Sequence, residues 1–124
     1  MQITISDGAG PIAKVCLVGK IDIAGAEVIA MPIATLAGSK KGVIVDLSGV
    51  TLISSIGIRH LVSAAKTLSR KGGKLVVVNP NDHVKDVLVT TGVDELMPIV
   101  ATESEAHILI VALQANEWVI LVLF

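Results

Sequence analysis

The sequence predicts an α/β domain with a mixed central sheet: an antiparallel N-terminal hairpin at one edge, a parallel core, and about four covering helices. Three observations predict it. The chain of 124 residues is 52% hydrophobic and 17% charged, which supplies apolar material for one compact core and too little charge for a disordered chain. Two short apolar runs, residues 43–47 and 74–78, show no polar alternation, as in strands buried on both faces. Beyond an opening pair of strands, strand-like and helix-like stretches alternate, and connections of that length join parallel strands.

The elements follow in order. Ile3 and Ile5 alternate with Gln2, Thr4 and Ser6, the period of a half-buried strand. Asp7 to Pro11 has turn composition and leads into an apolar strand over residues 12–18, with Cys16 as a buried thiol inside it and Gly19 at its end. The short connection makes these two strands an antiparallel hairpin. A helix starts at or near Asp22, with Glu27 in its early part, and residues 24–37 are Ala-rich and apolar at helical spacing. Pro32 predicts a kink or short break there, because an interior proline costs about 3 kcal/mol. After a loop over residues 38–42, the strand 43–47 closes in the polar turn Asp46-Leu47-Ser48-Gly49.

Val50, Leu52 and Ile53 lead to Ser54 and Ser55, where the turn becomes a helix. Its apolar residues Ile58, Leu61, Val62, Ala65 and Leu68 recur every three or four positions, while Arg59, Ser63, Lys66 and Arg70 fall on other faces. Gly72-Gly73 stops it. Then come the strand 74–78, a turn and helix cap at Asn79-Pro80-Asn81-Asp82, and a short helix through Val84, Val87 and Leu88 to Gly92. A last strand spans 96–100. Thr102 and Glu105 read as a capping pair opening a helix that runs to about Ala115. Residues 1–115 thus form one domain and 116–124 an apolar tail. The run from Trp118 to Phe124 is uninterrupted apolar sequence. Such a tail packs on its own domain, joins two copies in a homodimer by strand addition, or rests against a membrane, which seven residues cannot span.

Composition narrows the function. Formal net charge is −1 and the ten Lys and Arg are scattered, so nucleic acid is not an expected partner. Trp118 and Phe124 are the aromatics, leaving almost nothing to stack on bases. One cysteine makes no internal disulfide, which suits a reducing cytoplasmic setting. The N-terminus lacks a basic and then apolar leader pattern, and no stretch of about 18 apolar residues reads as a membrane span. His60, His83 and His107 have no partner at a metal-ligand spacing, and no nucleophile elbow or phosphate-binding glycine loop is present. No catalytic residue, metal or cofactor is expected, and the chain reads as a binding module, not an enzyme.

The serine pair remains. A serine before a helix is most simply an N-cap. This position also follows the carboxyl end of a central parallel strand, the edge of an open α/β sheet where binding sites collect. The flanking Ile53, Ile56, Gly57 and Ile58 are apolar or small, a patch fit to dock a partner around an exposed hydroxyl. On these residues alone both readings stand.

Three motifs, in order and at matching spacing, carry a resemblance over roughly residues 2–113. Gly19-Lys20-Ile21-Asp22 is similar to a G-x-(Leu/Ile)-Asp segment before a first helix, Val45-Asp46-Leu47-Ser48 to a D-L-S strand end, and Ser54-Ser55-Ile56-Gly57-Ile58 to a D-S-S-G-L phosphorylation segment. Together they resemble the STAS domain of anti-sigma factor antagonists. The resemblance implies that Ser55 is phosphorylated by an ATP-dependent switch serine kinase that is also the anti-sigma factor, that the unphosphorylated domain binds this partner and frees a sigma factor, and that a phosphatase resets the cycle. It implies a partner-binding face at Asp22, Asp46, Ser54, Ser55, Ile56, Gly57 and Ile58. The family's Asp before the phosphoserine is Ser54 here and its second Ser or Thr is Ile56, so Ser54 is a competing phosphoacceptor. STAS domains also serve as scaffold subunits of lipid-transport ABC systems, as parts of sensory complexes and as cytoplasmic tails of anion transporters, which is the alternative function.

Overall fold

The computed structural model describes residues 1–7 and 10–111. Among these, the elements follow in the predicted order: β1 (Gln2–Ser6), β2 (Ile12–Ile21), α1 (Ile23–Ser39), β3 (Gly42–Ile53), α2 (Ser55–Arg70), β4 (Lys74–Val78), α3 (Asp82–Thr90), β5 (Ile99–Val100) and α4 (residues 103–111). The sheet order is β1-β2-β3-β4-β5, with β1 antiparallel to β2 and the other neighbours parallel. The end of the last helix near Ala115 and the tail from Trp118 to Phe124, with its homodimer, lie outside the described residues.

The sheet separates two cores, as strand alternation requires. Val15, Leu17, Val43, Val45, Leu47, Leu75 and Val77 face one side and pack with Ala26, Ile29 and Ile33 of α1, Leu61 and Leu68 of α2, and Val84 and Leu88 of α3. Successive parallel strands laid down in one direction put their right-handed crossovers on one face. The other face, through Ile44, Val76 and Val78, packs against Ala106 and Ile110 of α4. Thr102 opens α4 as expected, its Oγ1 accepting from the Glu105 N–H at 3.2 Å, while Glu105 Oε2 accepts from the Ala101 N–H instead of completing a box with Thr102.

Several expected boundaries move, each for a tertiary reason. β2 does not end at Gly19 but continues to Ile21, and Asp46-Leu47-Ser48-Gly49 is not a turn but part of a twelve-residue β3. Between Cys16/Asp46 and Val18/Gly49, and again between Gly19/Val50 and Lys20/Leu52, β3 carries one residue more than β2. These are β-bulges of β3, and opposite the second one Gly19 of β2 takes a φ of 118° that favours glycine. The Asp46 side chain turns back within the first bulge, Oδ1 accepting from the Ser48 N–H at 2.9 Å. α1 runs unbroken through Pro32. The carbonyl that loses its donor there belongs to Val28, a residue on the exposed side of the helix. β5 begins only at Ile99, because the 3-10 turn Val93–Glu95 takes the N–H groups of Leu96 and Met97 and Pro98 has none. Cys16 is half-buried, not buried; it pairs with Thr4 and Asp46, where α4 leaves the sheet partly open.

α4 is tied to β2 by an ion pair, Lys14 Nζ to Glu103 Oε2 at 2.8 Å, with His107 Nε2 3.6 Å from the other carboxylate oxygen. The hydrogen bond from Lys14 holds the Glu103 carboxyl below the usual carboxylate range, and the same bond raises the Lys14 ammonium above its usual value of 10.5. For Glu103 the folded value is depressed, so its contribution to stability is present above the unfolded carboxyl value and is lost as pH falls through the lower folded one. For Lys14 the contribution is present below the unfolded lysine value and is lost as pH rises through the raised one. The pair is partly exposed, so Glu103→Gln is expected to cost at most about 1 kcal/mol in urea melts at pH 7, with the difference from wild type shrinking as pH falls through the depressed Glu103 value.

Candidate functional site

β2 and β3 leave the sheet together. Ile21 and Ile53 are register partners, and the residues that follow them, Asp22 and Ser54, cap α1 and α2. Asp22 Oδ1 accepts from the Gly25 N–H at 2.8 Å, and Ser54 Oγ accepts from the Gly57 N–H at 3.2 Å. The Ser54 N–H donates to the Ile21 carbonyl at 2.7 Å, so the two caps sit side by side. Asn81 caps α3 on the same edge, Oδ1 accepting from the Val84 N–H at 2.8 Å while Nδ2 donates to the Val50 carbonyl at 3.0 Å. Gly57 lets α2 descend onto β2: a Cβ built at this position overlaps Ile21 Cγ2 and lies 3.3 Å from Ile53 Cγ1.

The two serines have different surroundings. Ser54 is half-buried and its oxygen is committed to the cap. Ser55 is the first residue of α2 and is exposed. Helix geometry leaves the first N–H groups without intrahelical acceptors. Here the Ser54 N–H has Ile21 and the Gly57 N–H has Ser54 Oγ, which leaves those of Ser55 and Ile56 beside the exposed hydroxyl. Such a position tolerates an added anion.

Six of the predicted site residues meet at this edge: Asp22, Ser54, Ser55, Ile56, Gly57 and Ile58. Their apolar members face inward more than the sequence suggested. Ile53 and Gly57 are buried, and Ile56 and Ile58 are packed against the main core. Asp46 is not brought to the serines. It pairs with Cys16 and Val78, five β2 residues before the Ile21/Ile53 pair, about 16 Å along the strand. Exposed apolar surface comes instead from α1, where Ile23 is 66% and Met31 74% accessible, with Val28 beside them. The sequence signal for this was the lack of a polar stripe in residues 24–37, an apolar helix with more apolar surface than one core contact can cover. A groove of about 240 Å³ lined by Asn79, Pro80, Asp82, Lys85 and Ile99 lies farther along the same edge. His60 is half-buried in α2, whereas His83 and His107 are exposed. Among the described residues no group of His, Cys, Asp and Glu side chains is placed to hold a metal ion, and no helix is long and apolar enough to cross a membrane.

The family described as STAS domain matches residues 2–106. The chain belongs to the STAS domain family. Its relatives include a Bordetella bronchiseptica protein assigned as the anti-sigma factor antagonist BtrV, 29% identical over 92 residues, which are 73% of this chain and 79% of that one. The STAS fold here superposes on an anti-sigma factor antagonist from Mycobacterium paratuberculosis with a TM-score of 0.78 at 24% identity, covering 88% of this chain and 92% of that one. It also superposes on Bacillus SpoIIAA, an anti-sigma factor antagonist known in two forms. The unphosphorylated form gives a TM-score of 0.74 at 22% identity (86% and 94% covered), and the phosphorylated form 0.67 at 21% (85% and 96%).

The division between the serines is testable by stability. Ser54→Ala and Asp22→Ala each remove a cap and are expected to cost about 1 kcal/mol in urea unfolding, whereas Ser55→Ala stays within about 0.5 kcal/mol of wild type. Gly57→Ala pushes α2 off Ile21 and is expected to cost about 1–3 kcal/mol, seen as a lowered Tm.

Proposed function

We propose that this STAS domain protein is an anti-sigma factor antagonist, a non-enzymatic binding module of the cytoplasm controlled by phosphorylation of Ser55. In the unphosphorylated state it binds an anti-sigma factor that is also a serine kinase, which releases a sigma factor; a phosphatase returns the phosphorylated form to service. The observation that carries the reading is the exposure of Ser55 at the first position of α2, with Ser54 occupied as the cap. Family membership and the antagonist names of BtrV and SpoIIAA support the partner class. The docking face centres on Ser55 and takes in Asp22, with the exposed Ile23 of α1 as its apolar contact.

A phosphate adds about −1.5 to −2 charges and three acceptor oxygens. At a helix N-terminus it does not disturb the fold. At the centre of a contact it must be desolvated without a partner, which costs several kcal/mol, and about 1.4 kcal/mol already lowers affinity tenfold.

The test is intact mass after incubation with ATP and extract of the source cells, followed by site mapping. One added phosphate is expected on wild type and on Ser54→Ala, and none on Ser55→Ala. Ser55→Asp is expected to weaken binding to the captured kinase at least tenfold with the Tm unchanged. Absence of phosphate, together with co-purification of a membrane ATPase and permease, would move the function to a scaffold subunit.

A further inference from the structure

We propose that Arg59 holds the phosphate of phosphorylated Ser55, an intramolecular clamp that stabilises the modified state; this rests on the reading of Ser55 as the phosphoacceptor. Ser55 and Arg59 are four residues apart on α2 and both are exposed. Residues at that spacing are neighbours on one helix face, about 5–6 Å apart at Cβ. Helical side chains lean toward the N-terminus, so a long side chain at position 59 reaches back over position 55 and not away from it.

The charges around this pair suit an added anion. The first turn of α2 has no acidic residue, and its cap Ser54 is neutral too. Among the described residues Arg59 takes part in none of the ion pairs, which join Lys14, Lys40 and His107 to carboxylates. A guanidinium presents its N–H groups in a fork that matches two phosphate oxygens, and the N–H groups of Ser55 and Ile56 are available to the same phosphate. Asp22, the cap of the adjoining α1, is the carboxylate beside this end of α2 and opposes a phosphate there, so the arginine offsets a repulsion already built into the edge.

Genetically encoded phosphoserine at position 55 tests the clamp without any kinase. Phosphorylated and unphosphorylated forms of wild type, Arg59→Gln and Arg59→Lys are compared by phosphorus NMR titration and by urea melts. Removing the cation is expected to raise the midpoint of the phosphate's second ionisation by about 0.3 pH unit in Arg59→Gln, with Arg59→Lys between the two. Phosphorylation is expected to stabilise wild type more than Arg59→Gln, a non-additive cycle that a merely structural role for the arginine would not produce. Equal ionisation midpoints and an additive cycle overturn the clamp. If cells never phosphorylate Ser55 while the encoded phosphoserine shows the coupling, the proposed regulation fails and the contact stands.

Discussion

One backbone hydrogen bond, from the Ser54 N–H to the Ile21 carbonyl, fixes the geometry on which the site depends. It closes the β2–β3 ladder at the point where both strands leave the sheet. Because it sits between two caps, it also sets the starting points of α1 and α2 relative to each other. The two helices then pack along one face of the sheet over a shared core that includes Ile29, Ile33, Leu61 and Leu68. Gly57 completes the arrangement by letting α2 settle on Ile21 without a methyl group between them. The edge is therefore held by main-chain geometry and small-residue packing, and the side chains of Ser55 and Arg59 are not needed to build it.

That independence explains how neighbouring serines take different parts. A helix start needs one side-chain acceptor, and Ser54 provides it from a half-buried position. Once that donor is satisfied, a second hydroxyl has no structural duty and projects to solvent. It also explains why a neutral residue serves where an acidic one is the family's pattern. A hydroxyl oxygen and a carboxylate oxygen both cap; they differ in charge, and the charge matters to whatever arrives at position 55.

Much of this was legible in the sequence. The alternation of elements, the doubly buried runs in β3 and β4, and the caps at Asp22, Asn81 and Thr102 rest on local patterns that the structure keeps. What was not legible depends on neighbours distant in sequence. Ser48-Gly49 has turn composition, yet pairing with β2 holds it in a bulged strand. Pro32 predicts a break when its helix is considered alone, but α1, packed on the sheet through Ile29 and Ile33, continues through it. Ile56 and Ile58 look like a surface patch until α2 is placed on the sheet, and Asp46 belongs to a matching motif yet faces the α4 side. A linear motif states which residues accompany one another, not which way they point.

β4 pairs with β3 only as far as Asp46, whereas β3 continues beside β2 alone to Ile53. The two bulges lengthen this overhang, so the turn bearing the serines stands clear of the sheet's middle, like the tip of a cantilever. The layer beneath it is packed, with Ile53 buried and Ile56 and Ile58 against the main core, so Ser55 is the position at this tip where a new charge meets solvent first. Under the proposed phosphorylation of Ser55, signalling would act through an altered surface at this tip, with the fold behind it kept.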